Sequence, residues 1–279
     1  MVKKVLNLVK RFQRTGKDYG VFKRTSNILW AFFARYTWDC VVIHRRKLIK
    51  NPPGLILPLL CRHVKGTLRC PPDLTILLVH NYETQPIMEK SLLYVGIKNY
   101  VVLKPKLNRS WYSAVKIETI LNYLKSGLCE TEYIMYCDSD DVVLRNDPKK
   151  AIQFLQEENC DLLFSRTKCK DGYECMPKVK AWVDQIAQEQ GSPGWYINAG
   201  VFIGRTAFFH NLLETVLAYV TDDEISLKDY AQRRRNGTLG ERRPEFPKGV
   251  GSDQVIFRYL QPHFYPQIKV DYTGRLALR

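Results

Sequence analysis

A chain of 279 residues, 45% apolar and 12% aromatic, can bury a sizeable core, which excludes a disordered chain and fits one large α/β domain with an appendage. Eight cysteines are too few for a disulfide-built scaffold at this length, and they are expected to be reduced. The net charge of +15 is concentrated at one end. Residues 1–50 hold 13 Lys and Arg against Asp18 and Asp39, so only four of the surplus charges belong to the rest of the chain.

Placed on a helical wheel, Val2, Val5, Leu6, Leu8, Val9 and Phe12 fall on one side and Lys3, Lys4, Lys10, Arg11 and Arg14 on the other. That pattern suits a helix lying in a membrane surface, or one packed on the protein's own core. The basic surplus and the aromatic run Trp30, Phe32, Phe33, Tyr36 and Trp38 favour an anionic membrane surface as partner. Residues 28–43 are the nearest approach to a membrane span. They are short and interrupted by Arg35 and Asp39, each costing about 2.5–3.5 kcal/mol at a bilayer centre. No signal-peptide pattern is legible, so the expected location is cytoplasmic and peripheral to a membrane. The basic block matches no helix-turn-helix or zinc pattern, and nucleic acid is not an expected partner. Asn51-Pro52-Pro53-Gly54 and Pro71-Pro72 break the chain, giving an expected N-terminal region over residues 1–70 and a domain over residues 71–279.

From residue 71 on, strand and helix patterns alternate. Strands are predicted over residues 74–80, 100–103, 132–137, 161–165, 195–203 and 267–271. Helices are predicted over 85–95, 111–126, 148–158 (with Asp147 as N-cap), 177–190, 207–220 and 252–260, and a polar loop over 221–250. Such alternation means a mainly parallel sheet covered on both faces, Rossmann-like in character, with ligands at the carboxyl ends of the strands.

The sharpest feature is Asp138-Ser139-Asp140-Asp141, directly after the apolar strand Tyr133-Ile134-Met135-Tyr136-Cys137. Three carboxylates at a strand's carboxyl end repel one another unless a cation sits among them. Their hard oxygens suit Mg²⁺ or Mn²⁺, leaving positions open for phosphate oxygens. A solvated turn of acids is the plainer alternative. A haloacid-dehalogenase-type phosphatase also carries Asp-x-Asp after a strand, but Val142 and Val143 stand where its Thr belongs. Cys169 and Cys175 form only a Cys-x₅-Cys pair, with no further zinc ligands nearby.

Asp138-Ser139-Asp140-Asp141-Val142-Val143-Leu144 resembles the Asp-Ser-x-Asp-Val-x-Leu motif in the glycosyltransferase domain of procollagen lysyl hydroxylases, which has the GT-A fold. The strand from Trp195 to Gly204, with Asn198 and Gly200, is similar to the family's Leu-Asn-Ser-Gly-Gly-Phe-Ile-Gly strand, and Asp253-Gln254 matches its Asp-Asp-Gln segment. The likeness spans roughly residues 74–275. It implies a metal-dependent transferase taking its sugar from a nucleotide-sugar donor, a UDP-sugar, for a glycan, lipid-linked or protein acceptor. It further implies Mn²⁺ on Asp138 and Asp141, with Asp140 at the variable position; the general GT-A motif pairs Asp138 with Asp140 instead, and all three stay candidates. Lys116 matches a lysine near the donor diphosphate, Asn198 and Gly200 match residues lining the sugar pocket, and Asp253 and Gln254 match positions facing donor sugar or acceptor. Asp253 is the candidate base, and a helix N-cap on Ser252 or Asp253 is the plainer reading of that segment. The family's His-Gly-Asn-Gly segment, which completes the metal shell, does not occur in the sequence, and His263 and His210 are the residues that could stand in. The rival reading is a non-catalytic binding protein of the same fold, recruited to membranes by its basic arm.

Overall fold

The computed structural model describes residues 42–44, 57–58, 60–107, 111–170, 172–173, 176–220, 232, 236 and 252–278. The predicted amphipathic helix at the N-terminus and most of the 221–250 segment lie outside these residues. The elements follow as β1 (Val42–His44), β2 (Leu74–Val79), α1 (Ile87–Val95), β3 (Val101–Leu103), α2 (Val115–Lys125), β4 (Tyr133–Cys137) and β5 (Val142–Leu144). Then come α3 (Lys149–Glu157), β6 (Leu162–Thr167), α4 (Pro177–Glu189), β7 (Tyr196–Arg205), α5 (Thr206–Leu217), α6 (Asp253–Leu260), β8 (Ile268–Val270) and β9 (Ala277–Leu278).

Six strands form one sheet in the order β3-β2-β4-β7-β6-β8. Every pairing is parallel except the two made by β7, which alone runs against the others. The sheet is therefore mainly parallel, as the alternation of elements predicts. The carboxyl ends of β4 and β6 and the start of β7 share one edge.

Side chains alternate across the sheet, and the two faces carry separate cores. On one face Leu74, Ile76, Leu78, Tyr133, Met135 and Cys137 pack with α1 and α3. On the other, Leu77, Val79, Ile134 and Tyr136 pack with α2, α5 and α6. The helices end where their sequences dictate: Gly96 follows α1 at φ 104° and Gly127 lies just beyond α2 at φ 73°. Pro148, not the predicted Asp147, is the N-cap of α3, and the Asp147 side chain just ahead of it accepts the Lys149 amide at 2.9 Å.

The expected boundary near residue 71 is moved by the structure. Leu57, Leu60, Cys61, Leu68 and Cys70 are buried in the same core as β2, α1 and α3, and Cys61 donates to the Leu144 carbonyl. Further upstream, β1 pairs antiparallel with β5 and parallel with β9 in a second, three-stranded sheet. The end of the apolar run over residues 28–43 is thus a strand of the domain. Among the described residues, no helix is long and apolar enough to cross a membrane.

Candidate active site

Alternation along β4 sends Tyr136 to the α2 face, and the same parity carries Asp138, one residue beyond the strand, to that face too. Two helices meet it there. Lys116 Nζ, from the first turn of α2, lies 3.3 Å from Asp138 Oδ1 and 2.7 Å from Oδ2 of Asp253, the first residue of α6. The Tyr136 hydroxyl donates to Asp138 Oδ1 at 2.9 Å, and the Lys116 ammonium stands 5.1 Å from the centre of the Tyr136 ring. Burial works to lower the pKa of Lys116, but Asp138 and Asp253 outweigh it and hold the ammonium above its ordinary range, so it stays charged at 8% exposure. Burial pushes Asp253 up, with Lys116 opposing and Asp138 adding to the push. Burial, reinforced by the two carboxylates, also keeps the Tyr136 phenol protonated as a donor.

Asn198 and Gly200 reach the site through a bulge. Phe164 of β6 pairs with Phe202 of β7, yet the next residue, Ser165, pairs with Asn198, so residues 199–201 have no counterpart on β6. The break reverses parity: Ile197 and Ala199 face the α2 core, as does Phe202, while Val201 and Ile203 face the other. Two side chains satisfy the amides this frees. Gln254 Oε1 accepts the Ala199 N–H at 3.2 Å, and Asn198 Oδ1 accepts that of Gly200 at 3.2 Å. The bond to Gly200 fixes which end of the Asn198 amide is oxygen, and it leaves Asn198 Nδ2 buried with no hydrogen-bond partner among the described residues. Gly200 in turn accepts the Asp138 amide at 2.7 Å, and a Cβ on Gly200 would stand 2.7 Å from Asp138 Oδ2, so only glycine admits the carboxylate here. The capping alternative for α6 is not realised: no side chain caps it, and the Asp253 carboxylate turns to Lys116.

Asp140 is exposed and Asp141 is buried. The Tyr82 phenol, raised first by burial, is raised further by Asp140, Asp138 and Asp141, so all three carboxylates bear on its hydroxyl from across the sheet edge. Among the described residues no group of three or more His, Cys, Asp or Glu is arranged to hold a metal ion. His263 and His210, expected as stand-in ligands, therefore do not complete such a group with the aspartates. What the turn offers is oxygen donors of few protein ligands, a set that suits Mg²⁺ or Mn²⁺ sharing its shell with phosphate and water. The amide of Asn198 and the buried Ser139 hydroxyl, both without a partner among the described residues, point to a polar ligand at this edge.

No family model matches the chain, and no curated protein matches it. Solved structures that it resembles include two glycosyltransferases. One is a glycosyltransferase involved in the glycosylation of the major capsid of PBCV-1, at 16% identity over 71% of this chain and 82% of that one, with a TM-score of 0.40. The other is mouse xyloside xylosyltransferase 1 in its apo form, at 12% identity over 80% of this chain and 81% of that one, with a TM-score of 0.41. Likeness at that distance assigns no function, which has to come from the site itself.

Sequence reasoning missed a second polar group, on the other face of the same edge. His80, one residue past β2, is buried, and its Nε2 lies 2.9 Å from Oε1 of Glu89 on α1. Its Nδ1 accepts the Tyr82 amide at 3.2 Å, so the proton sits on Nε2 and is donated to Glu89. Tyr100 donates to the other Glu89 oxygen at 3.1 Å, and the His80 ring stacks on Tyr82 at 5.5 Å. The group sets the position of Tyr82 beside the aspartates. Its signal in the sequence was a polar residue closing an apolar strand.

Burial lowers His80 below its ordinary 6.5, Glu89 opposing and Lys104 adding to the fall. Below pH 6.5 the unfolded chain takes up a proton that the folded one resists, so stability is complete above 6.5 and is lost as pH falls towards the folded value. Denaturant midpoints at pH 7.5 and 5.5 are expected to differ by less in His80→Asn than in the parent. The difference amounts to at most about 1.4 kcal/mol per pH unit for one proton. Equal losses in the two proteins would assign the effect to other groups.

Six free cysteines are described, among them Cys169, and no disulfide joins them; Cys175 lies outside the described residues. Burial pushes the thiols of Cys61 and Cys160 up to about 12 and that of Cys70 to about 11, in keeping with unreactive side chains.

Proposed function

We propose that the chain is a glycosyltransferase taking its sugar from a nucleotide-sugar donor, a UDP-sugar, with Mn²⁺ or Mg²⁺ as the cation. One observation carries the reading: Lys116, Asp138 and Asp253, from three distant stretches of sequence, meet within 3.3 Å at the carboxyl end of the sheet. The resemblance to the lysyl hydroxylase transferase domains assigns Lys116 to the donor diphosphate, Asp138 to the metal, and Asp253 to a position facing donor sugar or acceptor.

In this proposal Asp138 and Asp140 would hold the cation, and Asp141, buried one residue on, supports their turn. The cation, when bound, supplies Lewis-acid stabilisation of the departing diphosphate. Lys116 adds a fixed positive charge aimed at the same group. Asn198 Nδ2 donates to a sugar oxygen, which removes its burial without a partner. Gln254 keeps the bulge that presents Asn198. Asp253, expected from the sequence as the base, is 5% exposed and held by Lys116; the role that fits this burial is to position the ammonium against Asp138.

The test is hydrolysis of a panel of nucleotide sugars with and without Mn²⁺. At least one UDP-sugar is expected to turn over, at least tenfold faster with the cation. A protein that binds UDP without turning over any donor is the non-catalytic binding protein instead.

A further inference from the structure

On the side of the site away from Tyr82, the β6–β7 pair runs on past the aspartates as a lip. Asp138 meets β7 at Gly200, but β7 begins at Tyr196 and β6 continues to Thr167. The overhang is roughly 10 Å at about 3.3 Å per residue. Half-buried Trp195 stands at its tip, with the Arg166 guanidinium carbon 4.2 Å and Lys168 Nζ 5.0 Å from its ring centre.

Both strands of the lip are pinned. Arg166 donates to the Tyr272 carbonyl, and Gly274 leaves room for it, since a Cβ there would come within 2.6 Å of the guanidinium. Arg258 of α6, fully buried, donates at 2.8 Å to the carbonyls of both Ile197 and Cys169. Arg166, Lys168 and Lys170 recur at every second residue, and the two lysines are exposed. Asp184, which feels the charge of Lys170, is already engaged by Lys180 and by the Tyr196 hydroxyl at 2.8 Å. A lysine held against an indole has given up part of its conformational freedom before an anion arrives, which favours binding.

We propose that this lip binds the acceptor and that the acceptor is anionic, carrying a phosphate or carboxylate beside the hydroxyl that receives the sugar. The inference rests on the transferase reading. In the step it serves, the acceptor oxygen bonds to the anomeric carbon as that carbon's bond to the diphosphate oxygen breaks. The electron pair leaves with the diphosphate, and the hydroxyl proton passes to solvent.

The experiment is calorimetric binding to the full chain of matched probes: p-nitrophenyl glucuronide against p-nitrophenyl glucoside, glucose 6-phosphate against glucose, and UDP. At least one anionic probe is expected to bind roughly tenfold or more tightly than its neutral partner, and the two pairs separate carboxylate from phosphate. Lys168→Glu should erase that preference, and Trp195→Leu, which keeps the charge but frees it, should reduce it severalfold. Thermal melting checks that both variants are folded. No preference in the parent, or a preference that survives Lys168→Glu, overturns the proposal. UDP affinity falling in step with that of the anionic probe overturns it too, because the lip would then belong to the donor. A parent that shows the preference but turns over no donor overturns the transferase reading alone, since the lip is read by binding.

Discussion

Asp138→Asn is expected to lower donor turnover by roughly 10²–10³ and to abolish the dependence of UDP binding on Mn²⁺, while the protein stays folded. The substitution is nearly isosteric. Its Oδ1 can still accept from the Tyr136 hydroxyl and from Lys116, so the contacts at 2.9 and 3.3 Å survive. What disappears is the charge, and a neutral amide oxygen is a poor ligand for a hard cation. Calorimetry with UDP, with Mn²⁺ and then with EDTA, reads the effect. Affinity equal to the parent's under both conditions would remove Asp138 from the metal and with it the central assignment.

Lys116→Met carries the largest expected loss of stability, roughly 3–5 kcal/mol, because it removes the cation from between two carboxylates and leaves Asp253 buried without it. The Asp253 side chain is 7% exposed and that of Lys116 9%, so water cannot replace the missing partner. Denaturant unfolding measures the loss. A companion variant in which Asp253→Leu is added separates charge from packing: it should recover much of the stability and none of the activity. Were the single variant as stable as the parent, the ammonium would not be what holds α2 to α6 at this edge.

Much of this architecture was legible in the sequence, and the particular failures have physical causes. The apolar strands β2, β4 and β7 and the helices behind them carried clear periodicities, and each lies within a few residues of its predicted span. Strand β9 was missed because two residues have no period to detect, and β1 because it lies at the end of the run read as the nearest approach to a membrane span. Val142-Val143-Leu144 read as the tail of the aspartate motif, although it is a strand of its own. Pro71-Pro72 read as a domain boundary, yet Leu60 and Cys61 before it are completely buried, because a proline turn can equally join two parts of one core. At the site, Asp138, Lys116, Asn198, Gly200, Asp253 and Gln254 were all legible as candidates. Their partnerships were not, since these depend on α2 and α6 lying on one face of the sheet. His80 and Tyr82 carried no motif at all.

The break in the ladder at residues 199–201 also bears on how this protein can change. Shortening the bulge so that β6 and β7 zip without interruption would make a more regular sheet, relieve the lone amide of Asn198 and draw Gly200 away from Asp138. A population kept only for its folding, with no demand on its chemistry, would drift in that direction. Directed selection for heat resistance alone would find the same shortcut, because at this spot what steadies the sheet and what builds the site pull against each other.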